Sequence, residues 1–313
     1  MSGINNKQNT GGFPAPFLPA GHMRENLKYF MAAAVLLLFL PFLLTVLLSG
    51  KDAVSLHREP DPEMLLPVAL YREIPEGDAP REFLRAQAIL IRSRLRQAVQ
   101  NQELLEILEE NLKYEQQHRM YPDLLERCAE AADSTEGQVL TVGGSVVEGP
   151  YFARGSGTTR DGLEAMGSEA YAWIVSVDSG ADIWHPDYIQ EICIPAEKAE
   201  EILGSYLGGE TAETEDIFSK LSAAETDRAG YVTEMAVGDT RMSGEKFRSL
   251  LSLPSSCFTM EQQGDQILFS CRGEGHGLGM SQYGAAVMAE EGKTAEEILK
   301  HYFPNASVEQ EQN

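Results

Sequence analysis

Hydrophobic residues follow three different patterns along this chain of 313 residues. From Tyr29 to Gly50 no charge occurs, and Val35 to Leu40, Phe42 to Leu44 and Val46 to Leu48 are apolar. That run is long enough to cross a bilayer core, and Pro41 is a kink of the kind membrane helices tolerate. After Pro80 the period changes. Leu84, Ala88, Ile91, Leu95 and Ala98 recur at helical spacing and predict an amphipathic helix that continues, with more charge, toward Glu115. Pro80 suits its first turn. Leu65 to Tyr71 reads as a short strand or helix before it.

Further along, β-like runs alternate with short helices. Gly143-Gly144 separates two runs as a two-residue hairpin turn would. Trp173 to Val177 predicts a strand ending in an acidic turn at Asp178, and residues 196–228 read as a surface helix pair. Tyr231 to Val237 predicts a strand, Gly238-Asp239 a turn, and Ser243 a helix cap. Cys257 to Met260 and Ile267 to Cys271 predict a hairpin about Gln263-Gly264. Cys257 and Cys271 are equidistant from Gly264, so a regular hairpin would set them opposite each other. A disulfide there is one expectation and two buried thiols the other. Thr294-Ala295-Glu296-Glu297 is a capping box opening the last helix. The mixture predicts an α+β fold with mixed sheets and helices.

Composition changes the picture in one respect. The net charge is −23, yet the first 50 residues carry Lys7, Arg24 and Lys28 against Glu25 alone. The body of the chain is therefore strongly acidic, which argues against nucleic acid and anionic lipid as partners. Arg24 and Lys28 precede the apolar run, while Lys51 and Asp52 follow it, so the tail is expected in the cytoplasm and the rest outside. No A-x-A cleavage site follows the run, which reads as an uncleaved single-pass anchor in the cell membrane. The expected organisation is a disordered cytoplasmic tail (1–28), a transmembrane helix (29–50), a linker (51–62) and one outer domain (63–313). Four Cys are too few for a disulfide-built scaffold.

Chemistry concentrates near the C-terminal end, in Gly273-Glu274-Gly275-His276-Gly277-Leu278-Gly279-Met280-Ser281-Gln282-Tyr283-Gly284-Ala285. Four alternating glycines serve either tight packing or close approach of a ligand. The stretch lacks a Walker lysine. A helix begins near Met280 or Ser281 and ends near Gly292. No G-x-S-x-G is present, and His276, His185 and Cys193 lack the spacing of a zinc site. Glycoside cleavage needs a carboxylic acid, and one suffices when the sugar's own hydroxyl is the nucleophile.

The glycine stretch resembles the G-x-G-H-G-V-G-M-S-Q-Y-G-A motif of the stage II sporulation protein D family. Glu73-Ile74-Pro75 followed by Glu82-Phe83-Leu84-Arg85-Ala86-Gln87-Ala88 is similar to that family's E-x-P and E-A-L-K-A-Q-A-V pattern. Thr135 to Leu140 and Tyr151 to Gly157 echo it again, across about residues 63–308. The resemblance implies a lytic transglycosylase that cleaves denuded peptidoglycan strands between N-acetylmuramic acid and N-acetylglucosamine during spore engulfment. It implies Glu82 as the catalytic acid; on its own, Glu82 reads more readily as a first-turn glutamate helped by the helix dipole. Ser156, Gly157, Asp178, His276, Gln282 and Tyr283 are the implied sugar contacts, and which of Glu73, Asp178 and Glu274 assists Glu82 stays open. Implied partners are a membrane-anchored amidase and a polytopic membrane protein. A non-catalytic glycan-binding or amidase-enhancing module is the alternative. Two departures stand out. Ile91-Arg92-Ser93-Arg94 replaces the family's A-R-T-Y, and Ala153 stands where the family has His, so no metal and no cofactor are expected.

Overall fold

A computed structural model of the protein describes residues 61–75, 79–207 and 216–311, with isolated positions between 28 and 40. The tail, the apolar run 29–50 and the linker thus lie outside the described residues, those positions apart. Among the described residues no helix is long and apolar enough to cross a membrane. Residues 60–313 form one compact unit.

The unit opens with helices. α1 (Pro62–Glu73) starts at Asp61, whose Oδ1 accepts from the Glu63 N–H at 3.0 Å. α2 (Arg81–Asn101) buries all five residues of the predicted stripe. It stops earlier than expected. Gln102 turns left-handed (φ 62°), and the Glu103 and Gln102 N–H groups return to Ala98 O and Val99 O. That is a Schellman closure made without glycine. α3 (Leu104–Gln117) and α4 (Pro122–Ser134) follow. β1 (Gln138–Val142) turns through Gly143-Gly144 into β2 (Ser145–Val146), the predicted hairpin. β3 (Tyr151–Phe152) and the short α5 (Gly162–Met166) complete the first half. Trp173 to Val177 is not a strand. It forms no ladder; Val177 N–H donates to Thr159 Oγ1 at 2.9 Å, Thr159 N–H to Val177 O at 2.9 Å, and Gly162 N–H to Ile174 O at 2.8 Å.

The second half is richer in sheet. β4 (Ile189–Pro195) runs into α6 (Ala196–Leu203). The predicted second surface helix is instead a 3₁₀ turn and β5 (Leu221–Thr226). β6 (Val232–Val237), β7 (Thr240–Ser243) and α7 (Gly244–Leu250) follow as expected, with Ser243 capping Lys246 N–H. β8 (Phe258–Gln263) and β9 (Gln266–Arg272) form the predicted hairpin. Its turn is Gly264-Asp265, so the centre of symmetry falls between residues and Cys271 pairs with Phe258. Cys257 instead opposes Arg272, whose N–H donates to Cys257 O at 2.8 Å. One residue of offset turns the two side chains to opposite faces. Both thiols are buried and free, which corrects the disulfide expectation. β10 (Met280–Ser281), α8 (Gln282–Glu290), α9 (Ala295–Tyr302) with its capping box, and β11 (Ser307–Gln310) close the chain.

Two cores result. One packs α1, α2, α4, α8 and α9 around β1. The other joins the sheets β4-β9-β8 and β5-β6-β7 over Phe247, Phe258 and Phe269. Between them β3 runs parallel to β10, and this ribbon carries the glycine stretch.

Arg92, the one residue of Ile91-Arg92-Ser93-Arg94 shared with A-R-T-Y, is a packing residue. It is fully buried, pairs with Glu63 at 2.8 Å and donates to Thr135 Oγ1 at 3.1 Å and Ala132 O at 2.8 Å, tying α2 to α1 and α4. Removing one partner of such a pair strands the others. Arg92→Met should lower the unfolding free energy by about 3–5 kcal/mol in urea titrations; a loss under about 1 kcal/mol would contradict this role.

Candidate functional site

The glycines of the motif are there for packing. Gly273, Gly275, Gly277 and Gly279 all take positive φ. A Cβ on Gly279 would lie 2.1 Å from Pro150 O, and one on Gly277 would lie 2.4 Å from the Tyr231 ring. The stretch therefore lies flat against residues 150–154 and Tyr231. Glu274 N–H donates to Arg154 O at 2.8 Å, Met280 N–H to Pro150 O at 2.9 Å and Tyr283 N–H to Ala153 O at 3.0 Å.

A buried carboxylate fastens this ribbon. Asp182 is fully buried on a 3₁₀ turn, Gly180–Trp184. Its Oδ1 accepts from Ser281 Oγ at 2.7 Å, and its Oδ2 from Gly155 N–H at 2.7 Å and Ser179 Oγ at 2.8 Å. Burial raises its pKa, and these donors oppose that rise. Ser281 in turn caps α8 by accepting from Gly284 N–H at 3.1 Å. Nothing in the sequence marks Asp182 apart from other acids.

The predicted site residues separate into three groups. Gln282 and Tyr283 line a cavity of about 330 Å³ together with His185, Ala286 and, from the start of α2, Ala79 and Phe83. Gln282 Nε2 donates to Glu73 O at 2.6 Å, and the Tyr283 ring meets His185 edge-on at 4.7 Å. His276 faces a different cavity, of about 510 Å³, beside Trp173, Tyr171 and Leu278. Its Nδ1 accepts from Leu278 N–H at 3.1 Å, and its ring also bonds to the backbone of Tyr151. Burial lowers its pKa. Ser156, Gly157 and Asp178 gather beside the Asp182 turn. Ser156 Oγ donates to Ala229 O at 2.9 Å, Gly157 O accepts from Ser179 N–H at 2.9 Å, and Asp178 O takes His301 Nε2 at 2.7 Å.

Glu82 sits in the first turn of α2, between Ala79 and Phe83 in sequence, and is not itself among the residues lining the smaller cavity. Its Oε2 accepts from Ala295 N–H at 3.0 Å, at the start of α9, and from Arg85 at 2.8 Å. Burial would raise its pKa, but Ala295 N–H, Arg85 and Arg81 outweigh it and hold the carboxyl below the ordinary glutamate value. Of the acids left open as helpers, Glu274 pairs with Arg154 at 2.7 Å and Glu73 lies 3.7 Å from Arg94. Ala153 offers only a methyl group. Among the described residues no three His, Cys, Asp or Glu side chains gather to hold a metal.

No family model matches the chain. It is similar to stage II sporulation protein D of Bacillus subtilis (strain 168), with 34% identity over 188 residues, 60% of this chain and 52% of that protein. Stage II sporulation protein D of Bacillus amyloliquefaciens is 29% identical over the same shares. The chain spans about half the length of these relatives. A shorter stretch of 54 residues is 41% identical to the amidase enhancer of Bacillus subtilis (strain 168), covering 17% of this chain and 8% of that protein. The resemblance drawn from the motifs thus holds across more than half of the sequence.

Gln87 was missed in the sequence. It is fully buried, and neither atom of its amide has a partner. It lies one turn along α2 from Phe83 on the same face, behind the smaller cavity. An unmet buried amide costs about 1–3 kcal/mol. Gln87→Met, which keeps the shape, should therefore raise the unfolding free energy in urea titrations by about 1–3 kcal/mol; an unchanged or lower value would show that the amide is bonded.

Proposed function

We propose that the protein is a lytic transglycosylase of the cell wall with a role in sporulation, acting on peptidoglycan strands freed of stem peptides. One observation carries the reading. Ala79 and Phe83, on either side of Glu82, line the same cavity as Gln282 and Tyr283 of the glycine motif. The stretches that most resemble stage II sporulation protein D therefore meet at one concave site, though Glu82 and its partner Ala295 are 213 positions apart in sequence.

In this reading Glu82, protonated, gives its proton to the oxygen joining N-acetylmuramic acid to N-acetylglucosamine. The bond breaks with positive charge on the muramic ring. Glu82, now a carboxylate, takes the proton of that sugar's 6-hydroxyl, whose oxygen closes a 1,6-anhydro ring. The carboxyl ends as it began, unprotonated after the first step and reprotonated after the second. Tyr283, Gln282 and His185 are hydrogen-bonding groups for the sugar. The apolar run 29–50 would anchor the protein in the cell membrane with residues 63–313 outside, beside a membrane-anchored amidase and a polytopic membrane protein.

A second reading has its own support. The carboxyl of Glu82 is ionised and committed to Arg85 and the start of α9, which suits a glycan-binding module that enhances an amidase. The two readings part on one assay. Glu82→Gln should reduce release of 1,6-anhydromuramyl products from denuded strands by at least about 10²-fold, with an unchanged circular dichroism spectrum. Activity above about a tenth of wild type, against a general acid's contribution of 10²–10⁴, leaves the module.

The lowered pKa of Glu82 gives the pH dependence. Only the protonated form starts the reaction, so kcat/KM on denuded strands should fall as pH rises above the Glu82 pKa. Removing the Arg85 charge raises that pKa. In Arg85→Met the fall should begin at a higher pH than in wild type, which pH–rate profiles from pH 4 to 8 would read; an unmoved profile would detach the titrating acid from Arg85.

A further inference from the structure

Trp184 is 80% exposed, the most exposed large hydrophobic side chain among the described residues. Exposure of a whole indole is unfavourable, because the ring forgoes a large burial of apolar area. The backbone carrying it is fixed: Asp182, two residues before, is fully buried and takes three hydrogen bonds from Gly155, Ser179 and Ser281. The next residue, His185, lines the smaller cavity and packs its ring edge-on against Tyr283. His185 Nδ1 accepts from Asp187 N–H at 3.0 Å, which assigns the ring proton to Nε2 as a donor. The residue carrying an exposed flat apolar ring is thus the chain neighbour of one that lines a cavity, whose lining supplies hydrogen-bonding groups from His185, Gln282 and Tyr283.

A pyranose has that chemistry: one face of C–H groups, and an edge of hydroxyl and acetamido groups. From this juxtaposition we infer that Trp184 is the stacking platform of a sugar subsite at the mouth of the smaller cavity, with His185 as a donor to the sugar seated on it. The subsite would take an N-acetylated hexose of a glycan strand next to the residue cleaved at Glu82. The inference rests on the transglycosylase reading or, for binding alone, on the glycan-binding one. The strong negative charge of the chain, −23, disfavours acidic peptides and nucleic acids on this platform.

The chain has only two tryptophans, and Trp173 packs against Phe303 with ring centroids 5.7 Å apart. Tryptophan emission of the full-length protein can therefore follow Trp184. The probe is glycan strands released from purified peptidoglycan by an amidase, with binding read by fluorescence and by sedimentation. Wild type should bind with a saturable emission shift. Trp184→Ala should bind at least about tenfold more weakly, from about 1.4 kcal/mol of lost ring contact, with no emission shift and an unchanged melting temperature. Trp184→Tyr should keep most of the affinity. If Trp184→Ala binds like wild type, the platform is refuted while the function stands, as wild-type cleavage of the same strands will tell. If Trp184→Tyr is as weak as Trp184→Ala and both melt lower, the ring is structural and the inference fails. If wild type neither binds nor cleaves the strands, the functional reading fails and takes the subsite with it.

Discussion

The arrangement of the candidate site depends on one buried charge. Asp182 is out of contact with water, yet it stays fastened because Ser281, Gly155 and Ser179 each turn a donor toward it at 2.7–2.8 Å. A buried carboxylate without such donors would cost several kcal/mol. With them, the carboxylate joins three segments distant in sequence: the loop after β3, the turn carrying Trp184 and His185, and the start of α8. Ser179 extends the network to the Tyr302 hydroxyl in α9 at 3.1 Å. The second residue of that chain, Ser281, caps α8, so the direction in which Gln282 and Tyr283 leave the helix is set by the same bond. Burial raises the proton affinity of Asp182, and each donor withdraws part of that rise, which is how a charge persists at the centre of a protein.

The glycine motif becomes intelligible against that network. Its alternation allows the backbone to lie on β3 and on the Tyr231 ring, closer than any side chain permits. Arg160 lies over the other part of that ring, 5.0 Å from its centroid, and pairs with Asp227 at 2.5 Å in the buried interior. A ribbon held this tightly on one side presents its other residues rigidly, and rigidity is what a site needs for orientation. His276 shows the division of labour. Its ring bonds to backbone on both sides, and so it stitches the ribbon, whereas Tyr283, two residues beyond the end of β10, lines the smaller cavity.

Local signals were legible in the sequence, and distant ones were not. The stripe Leu84 to Ala98, the Gly143-Gly144 turn, the Ser243 cap and the Thr294 capping box are each determined by neighbours within a few residues, and each stands in the structure as expected. The end of α2 was misread because the helical period continues past Gln102, while the left-handed closure there uses no glycine. The hairpin register was misread by one residue, since symmetry about Gly264 and symmetry about Gly264-Asp265 look alike in a sequence. The stretch 196–228 has helical composition, but Leu221 to Thr226 pairs with β6, a tertiary demand that overrides propensity. For the site, the motif exposed Glu82, Gln282 and Tyr283. It gave no sign of Asp182 and, though it includes Gln87, no role for it; the significance of both comes from being buried, one with donors and one without.

Glu82 unites two demands that pull its proton in opposite directions. As the acceptor for Ala295 N–H it completes the start of α9 and meets the positive end of the helix dipole, both of which favour the anion. Arg85 adds to the same side. The proposed role of general acid would instead require a proton there. Burial is the one effect acting to raise its pKa. Arg85 also lies 3.7 Å from Glu296 through its other terminal nitrogen, so a second carboxylate already shares the charge that holds Glu82 ionised.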